Sequence, residues 1–303
     1  MQITIQPPGS LEKLSRFIEK KNNQSQHHIG YCGEKASEIL DSLETDFSDL
    51  DVSKSFLVAC RGEHIIGALG FDIDLEDQSA EAWGPFVNEE EDWVDIANEL
   101  MIRLLSSFEN PLERIYYFIN ERNEQAKGFL SDIKAVEKGD HLILKVKRDH
   151  FHLVDSCEVE HFSPHFKEAF SELHHSAFPG AYYSADDILG FLSDQHNQLL
   201  IIKDECQQIK GYSYIEAKPE HAEGDIEFIA VSPLYRRQGI GTQLVKASIQ
   251  QLFNHDEIAE ITLCVSKQNH QAINLYRAAG FEVAHGVVSY EWMARELEKR
   301  GES

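Results

Sequence analysis

A loop between a predicted strand and a predicted helix carries the strongest chemical signal in this sequence. Segment 225–241 reads DIEFIAVSPLYRRQGIG, in which an apolar strand ends at Ser232-Pro233 and the glycines Gly239 and Gly241 open an amphipathic helix. Glycine lets a ligand approach the main chain closely. Because the first turn of a helix leaves N–H groups without partners at the positive end of its dipole, the sequence predicts an anion site here. A plain strand–turn–helix with solvated arginines is the alternative interpretation.

The charge around this loop favours the anion site. Residues 234–277 contain five basic and three acidic side chains, a net charge of +2, whereas the rest of the chain carries −26. The spacing lacks the Gly-Lys-Ser/Thr of a P-loop, and Leu244 stands where a dinucleotide-binding motif needs a third glycine. The loop therefore belongs to neither of those two nucleotide-binding classes.

Two motifs in this half of the chain resemble those of the GNAT family of acetyl-CoA-dependent N-acetyltransferases. The first is the signature R/Q-x-x-G-x-G/A, present at 236–241 as RRQGIG. The second follows a strand and consists of Asn269, Ala272, Leu275-Tyr276 and Gly280-Phe281. The resemblance covers about residues 157–293 and implies acetyl-CoA as the cosubstrate.

The resemblance implies a role for each matching position. The loop amides would bind the pyrophosphate, and the preceding strand, splayed from its neighbour, would pair its backbone with the pantetheine arm. Asn269 would hydrogen-bond the pantetheine region. Tyr276 would be the general acid that protonates the departing thiolate, or else a helix residue packed on the sheet. The implied cofactor-binding residues are Ile229, Ala230, Val231, Arg236, Arg237, Gln238, Gly239, Ile240, Gly241, Thr242, Asn269, Ala272 and Tyr276.

Two carboxylates are candidates for the general base. Asp225 and Glu227 lie two residues apart on one strand, so their side chains are expected on the same face. A protonated amine does not attack a thioester, so a carboxylate or a water relay must take the proton. Glu227 is slightly favoured because it is nearer the cofactor arm. Either carboxylate could instead attract a cation or be a solvated charge at a sheet edge.

Direct attack of the amine on the thioester is the expected reaction, with strand amides polarising the oxygen. Cys264 offers a covalent alternative, but its place in the apolar strand ITLCV predicts an inert buried thiol. The resemblance suggests that the acceptor site contains Phe178, Tyr182 and Tyr183, whose rings could shelter a cation or simply pack in the loop. No metal site is predicted, because the histidines are not accompanied by an acidic ligand pattern.

The elements of the two halves follow one another in a similar order, which predicts an internal repeat. Gly67 lies 144 residues before Gly211, and Asn123 lies 146 before Asn269. We therefore expect an α/β (α+β, mixed-sheet) fold of two GNAT-like acyl-CoA N-acyltransferase domains in tandem. The predicted boundaries are 1–149 and 155–303.

The first half lacks the cofactor motif and is expected to be a degenerate GNAT-like domain. After Val87 it reads NEEEDW, and its carboxylates would occupy the helix N-terminus and repel a pyrophosphate. Leu130 stands where the repeat places Tyr276. The hypothesis is that this half shapes the acceptor cleft or replaces a dimer partner.

Composition indicates a folded protein of a reducing compartment. The chain has 303 residues, 42% hydrophobic and 26% charged, which suits two globular domains. Its five scattered cysteines form no CxxC, no apolar run reaches the ~18 residues of a membrane span, and the N-terminus has no signal layout. A cytoplasmic location without a membrane partner is therefore predicted. The net charge of −24 disfavours nucleic acid and would attract a small cationic substrate.

The sequence thus predicts an enzyme that transfers acetyl from acetyl-CoA to a primary amine in a ternary complex. A small cationic amine is the favoured acceptor, and a monomer or homodimer is expected. Two alternatives stay open: a protein or peptide N-terminal or lysine acetyltransferase, and a CoA-sensing binding module without turnover.

Overall fold

The chain folds into two compact units. The computed structural model describes residues 2–45, 47–108, 110–150, 159–193 and 195–294. The first unit contains the described residues up to His141 and those from His285 onward, and the second is Leu142–Ala284. The predicted domain boundary at residue 155 lies outside the described residues, and the sequential division of the chain remains a prediction.

The first unit is a mixed sheet with helices, its elements numbered along the chain. Its helices are α1 (Leu11–Asn22), α2 (Ala36–Thr45), α3 (Val52–Ser55), α4 (Trp93–Ser106) and α5 (Glu124–Asp132). Its strands are β1 (Ile3–Gln6), β2 (Phe56–Arg61), β3 (His64–Asp74), β4 (Ser79–Val87), β5 (Arg114–Asn120) and, from the end of the chain, β12 (Glu282–Met293). They lie in the order β1-β2-β3-β4-β5-β12, in which β4 and β5 are parallel and the other pairs antiparallel.

The second unit repeats this plan. Its strands are β6 (Val136–Lys147), which enters from the first unit, β7 (Glu160–His161), β8 (Asn197–Lys203), β9 (Ile209–Lys218), β10 (Glu223–Val231) and β11 (Glu260–Ser266). Its helices are α6 (Lys167–Ala177), α7 (Ala185–Phe191), α8 (Ile240–Phe253) and α9 (His270–Ala278). The strand order is β6-β11-β10-β9-β8-β7, and β10 and β11 are the parallel pair. The predicted mixed α/β fold is confirmed.

Helices cover both faces of the second unit's sheet. Leu244, Val245 and Ile249 recur at helical spacing on α8. Val245 and Ile249 pack with the apolar side chains of β11, and Leu244 packs with Ile202 of β8. On the other face, Phe170 of α6 and Ile188 of α7 join a core with side chains from β9 and β10. Each such buried side chain contributes about 1.5–3 kcal/mol by removal from water, so the strands that carry the candidate site are held rigidly. None of the described helices is long and apolar enough to cross a membrane.

Candidate active site

The parallel strands β10 and β11 separate partway along their length. Their pairing runs only from Glu223 opposite Glu260 to Asp225 opposite Thr262, and no further pair joins them in the described residues. Beyond this point the main chain of β10, including Ile229–Val231, faces a groove on its β11 side while remaining paired to β9. A sheet edge of this kind offers N–H and C=O groups to an extended ligand.

The loop after β10 leads into α8 with its amides unpaired. Arg237 and Gly239 have positive φ angles of 65° and 81°, which turn the chain sharply at the start of the helix. No acceptor is found, within the described part of the chain, for the main-chain N–H groups of Arg237–Thr242. Arg236, Arg237 and Gln238 are exposed beside them. These free donors at the positive end of a helix form a suitable site for a pyrophosphate.

Two glycines make room for this arrangement. A Cβ atom added to Gly239 would meet nothing within 4 Å, so its surface is open to a ligand. A Cβ atom on Gly241 would lie 3.1 Å from the side chain of Leu275 on α9, which would have to shift by a few tenths of an ångström. The glycine therefore allows close contact between the start of α8 and the helix that carries Tyr276.

Helix α9 presents two of the predicted residues. Asn269 is its N-cap, since its Oδ1 accepts a hydrogen bond from the amide of Ala272 at 3.1 Å. About two turns after Asn269, the half-buried Tyr276 packs edge-on against Phe281, with ring centroids 5.9 Å apart. Burial, with the nearby Cys264 thiol, raises the pKa of Tyr276 to about 12, so its hydroxyl stays protonated near neutral pH and can donate.

Glu227 occupies a β-bulge in β10. The register with β9 shifts between Ile226 and Phe228, so Glu227 is the extra residue. As a result, Ile226 faces the core with α8, whereas Phe228 faces the core with α6 and α7. A bulge re-aims side chains, and here the carboxylate accepts a short hydrogen bond from the hydroxyl of Tyr182.

The two candidate bases have different surroundings. Asp225 forms an ion pair with Lys218 of β9 at 2.9 Å, and this carboxylate raises the pKa of Lys218 well above its usual value. The pKa of Glu227 is raised to about 7, first by burial and then by the negative charges of Asp225 and Glu216. Tyr182 and Lys218 oppose this rise. A carboxylate that titrates near neutral pH is suited to general base catalysis, and one held in an ion pair is less so.

Cys264 departs from the expectation of a buried thiol. Its side chain is exposed on β11, because Leu263 and Val265 point to the core and Cys264 points to the opposite face. The protein atoms around it and the charge of Glu227 raise its pKa to about 12. A thiol whose pKa is raised in this way stays protonated near neutral pH and is a poor nucleophile.

Aromatic side chains form the wall on the other side of β10. Tyr182 is 64% exposed and its ring lies 5.1 Å from that of Phe228, which Phe178 also contacts at 5.0 Å. Tyr183 packs on Phe191 at 5.1 Å. The three residues predicted for the acetyl-acceptor site therefore lie together, in the loop between α6 and α7.

Sequence reasoning missed the residues that position this wall. Buried His174 contacts the carbonyl of Tyr183 through Nε2 at 2.9 Å and the hydroxyl of Tyr212 through Nδ1 at 2.6 Å. Since a carbonyl only accepts, Nε2 carries a hydrogen and donates it to Tyr183. Glu216, which accepts from Tyr214 at 2.7 Å, also lies beside the candidate bases. The signal that could have identified Glu216 is its position on β9, the strand next to β10, opposite Asp225.

The first unit lacks the equivalent chemical groups. At the repeat offset of 144, Trp83 stands in place of Glu227 and Pro85 in place of Ile229. Leu130 replaces Tyr276 and is fully buried. Asp92, through its carboxylate, caps α4 by accepting from the amide of Asp95 at 3.2 Å. A phosphate-binding loop is absent from this part of the described chain.

One cluster in the first unit has metal-ligating residue types. His28, Glu34 and His285 have ligand atoms within 4.8 Å of one another. The two rings are stacked, with centroids 3.9 Å apart and planes at 16°, so their in-plane lone pairs run nearly parallel and do not converge on one ion. The amide Nδ2 of Asn120 lies 3.5 and 3.2 Å from the Nδ1 atoms of His28 and His285, so these nitrogens face a hydrogen-bond donor. This arrangement is a hydrogen-bonded cluster and does not suit a metal.

The fold and the site together define the class of the second unit. Residues 159–281 match the model of the acetyltransferase (GNAT) family, and this segment is a GNAT domain. Over 96% of both chains, the structure resembles a GCN5-related N-acetyltransferase from Sphaerobacter thermophilus, with a TM-score of 0.75 and 14% identity. A tandem GNAT protein from the clavulanic acid biosynthesis pathway has a TM-score of 0.67 and 13% identity, with 97% of this chain and 99% of that chain covered.

A curated relative is similar in sequence over a shorter stretch. Mycothiol acetyltransferase from Propionibacterium freudenreichii is 24% identical over 148 residues, which are 46% of this chain and 47% of the relative. The chain spans about half the length of the curated relatives that it matches. The similarity at this level supports the family of the second unit and the tandem GNAT fold of the whole chain.

Proposed function

We propose that the second unit is an acetyl-CoA-dependent N-acetyltransferase that acts on a small cationic primary amine by direct attack in a ternary complex. The observation that carries this proposal is that the β10–β11 pairing ends early and leaves the main chain of β10 open on the side of the unpaired amides of Arg237–Thr242. Glu227 lies on the same strand, and its raised pKa and that of Tyr276 suit proton transfer. One end of the groove suits an anion and the other suits proton transfer.

The residues present fit acetyl-CoA. The amides of Arg237–Thr242 would hold the pyrophosphate, and the exposed guanidinium groups of Arg236 and Arg237 add positive charge. The main chain of Ile229–Val231 would pair with the pantetheine arm, and the exposed Asn269 would reach it from α9. Bound acetyl-CoA would supply a thioester as the acetyl donor.

The proton transfers follow from the protonation states of two side chains. Glu227 would take a proton from the incoming ammonium, directly or through water, so that the nitrogen lone pair can form the C–N bond to the acetyl carbon. As the C–S bond breaks, the hydroxyl of Tyr276 would give its proton to the departing thiolate, and the second proton lost from the acetylated nitrogen would restore that hydroxyl through water. Glu227 acts electrostatically on Cys264, and Cys264 on Tyr276, which supports a role for both side chains in the same reaction.

The charges near Glu227 favour a cationic acceptor. Glu216, Asp225 and Glu227 lie close enough to influence one another, and Lys218 is the positive charge that acts on Glu227. The exposed ring of Tyr182 next to them offers a face to an ammonium group. A small amine would therefore meet both an electrostatic and an aromatic contact at the acceptor side.

The experiment is thiol release from acetyl-CoA by the purified chain, over a panel of diamines, amino acids, aminoglycosides and N-terminal peptides. Release with one class of small amine, lost in the double variant R236E/R237E, would support the proposal. Release with peptides alone would contradict the small-amine acceptor. Binding of acetyl-CoA, seen as a raised melting temperature, without release for any amine would indicate a binding module and overturn the enzymatic proposal.

A further inference from the structure

Both units have a groove between two parallel strands that pair over only a few residues. In the first unit, β4 and β5 pair in parallel only from Ser79 opposite Arg114 to Glu81 opposite Tyr116. This corresponds pair for pair to the β10–β11 pairing of the second unit. Both parallel pairs therefore end after three residues and diverge, so each unit has the same groove between two strands.

In the first unit, a segment of the same polypeptide around Ile29 lies in this groove. Ile29 forms an antiparallel bridge with Ile119 on the free edge of β5, the other edge of which pairs with β12. The amide of Gly30 donates to the carbonyl of Phe118 at 2.6 Å, and the amide of Asn120 donates to the carbonyl of His28 at 3.1 Å. The main-chain groups that an extended ligand would use on β5 are thus already bonded.

The inserted residue has no unsatisfied backbone group. The side-chain amide of buried Asn22, on α1, accepts from the N–H of Ile29 at 2.6 Å and donates to its carbonyl at 3.2 Å. The side chain of Ile29 is fully buried in the core of the first unit. A backbone segment is stable inside a protein only when its polar groups are paired in this way.

The opposite side of the groove is also closed to a ligand. Pro85 on β4 has no N–H to donate, at the position equivalent to Ile229. Near the start of α4, Glu89 accepts from Lys21 at 3.0 Å and contacts His27 at 2.6 Å. A hydrogen bond from its own backbone and that from Lys21 lower the pKa of Glu89 to about 2, so a fixed negative charge lies there.

The residues that form this contact belong to the loop between the first two helices of the unit. That loop is 23–35 in the first unit and 178–184 in the second, so the first is longer. In the second unit the shorter loop carries the exposed aromatic wall, and the described residues include no bridge to β11 at the equivalent place.

We propose that segment 27–30 is a built-in occupant of the first unit's cofactor groove, so that this unit binds no acyl-CoA and the chain holds one acetyl-CoA molecule. The first unit is thereby an acetyltransferase fold closed by its own loop. This inference concerns the first unit and does not depend on the reaction proposed for the second.

The test combines binding stoichiometry and hydrogen exchange on the full chain. Calorimetry with acetyl-CoA should give one molecule per chain, and R236E/R237E should reduce binding at least 100-fold and leave no second site. The amides of Gly30 and Asn120 should exchange slowly without ligand and at an unchanged rate with acetyl-CoA. The amides of Arg237–Thr242 should exchange fast alone and at least tenfold more slowly with it.

A pair of matched variants tests the occupant directly. A Cβ atom on Gly30 would lie 2.5 Å from the ring of Phe118, whereas one on Gly9 would meet nothing within 4 Å. Gly30→Ala should therefore speed exchange at Asn120 at least tenfold, and Gly9→Ala should leave it unchanged.

Three results would overturn this inference: two acetyl-CoA molecules per chain, a site that survives in R236E/R237E, or unprotected amides at Gly30 and Asn120 in the natural chain. If the chain bound no acetyl-CoA at all, the proposed function would fail. The exchange of Gly30 and Asn120 would still decide whether the groove is occupied.

Discussion

Glu227 and Tyr276 reach the groove from different elements and in complementary protonation states. The pKa of Glu227 is raised to about 7 and that of Tyr276 to about 12, mainly because burial disfavours the charged form of each. Near neutral pH one group can therefore accept a proton while the other still has one to give. This division of roles is what transfer to an amine needs.

The variant Glu227→Gln tests the base. It should lower kcat/KM by about 10²–10⁴-fold, because the amide cannot take the proton of the ammonium. In the natural chain kcat/KM should rise as pH increases through about 7, where Glu227 loses its proton, and the variant should lack this limb. Steady-state rates over pH 5–9 check it.

Asp225→Asn is the matched control for this prediction. Asp225 is paired with Lys218, so its variant should lose less activity. It should keep an acidic limb, shifted to lower pH because the charge of Asp225 raises the pKa of Glu227. If neither variant changes the limb near pH 7, the assignment of Glu227 is wrong.

The variant Tyr276→Phe tests the acid. It should lower kcat by about 10²-fold or more because only the hydroxyl is removed, while the ring still packs on Phe281. The affinity for acetyl-CoA, measured by calorimetry, should stay within about twofold. Tyr290→Phe, in the first unit, should leave both quantities unchanged. An unaltered kcat in Tyr276→Phe would remove this residue from the mechanism.

The sequence motifs predict the elements of the candidate site but not its detailed chemistry. RRQGIG and the Asn269–Tyr276 spacing predict the loop and the helix because both depend on local backbone conformation. The bulge at Glu227 was not predicted, since it arises from the pairing of β10 with β9. For the same reason Cys264 was expected to be buried: an apolar stretch does not reveal which face of a strand is covered.

At the scale of elements, the start of α8 depends on a backbone conformation that other residues rarely adopt. Gly239 has φ of 81° and an open surface, so the cost of a side chain there is conformational and not steric. The residue is the N-cap of α8 and lies within Arg237–Thr242, the segment whose amides are proposed to bind the pyrophosphate. Backbone strain at this position should therefore lower the affinity for the cofactor as well as the stability of the protein.

The same substitution at two glycines tests this argument. Gly239→Ala should cost about 1–2 kcal/mol of unfolding free energy and raise the KM for acetyl-CoA several-fold. Gly190→Ala, in the exposed helical part of α7, should stabilise by about 0.5–1 kcal/mol and leave that KM unchanged. Urea unfolding and steady-state kinetics give the two quantities. Equal effects at the two positions would show that the loop conformation has no special role.

Element order was predictable in both units, whereas their tertiary pairing was not. Periodicity and turn residues place the helices and strands, and the repeat offset relates β4 to β10. The pairing of β12 with β5 joins residues far apart in sequence, and no local pattern encodes it. The occupation of the first groove by Ile29 is likewise a long-range contact, with a single bridge as its only regular structure.

For the whole molecule, the uneven distribution of charge separates the two substrates. The chain has a net charge of −24, yet residues 234–277 around the proposed pyrophosphate site carry +2. A negative molecule attracts a small cation over several ångströms, and a local positive region offsets its repulsion of an anionic cofactor. The two substrates should therefore respond differently to salt.

Ionic strength tests this reading of the charge. Raising salt from 0.1 to 1 M shortens the Debye length from about 10 to about 3 Å, so attraction of the amine by the distant carboxylates should vanish. We expect kcat/KM for a diamine to fall about three- to tenfold, with kcat at saturating amine unchanged because only the encounter is weakened. The kcat/KM for acetyl-CoA should fall less, since screening also removes its repulsion by the rest of the chain. A kcat/KM for the diamine that does not depend on salt would mean that the net charge serves solubility alone, and the preference for a cationic acceptor would then rest on Tyr182 and the carboxylates beside Glu227.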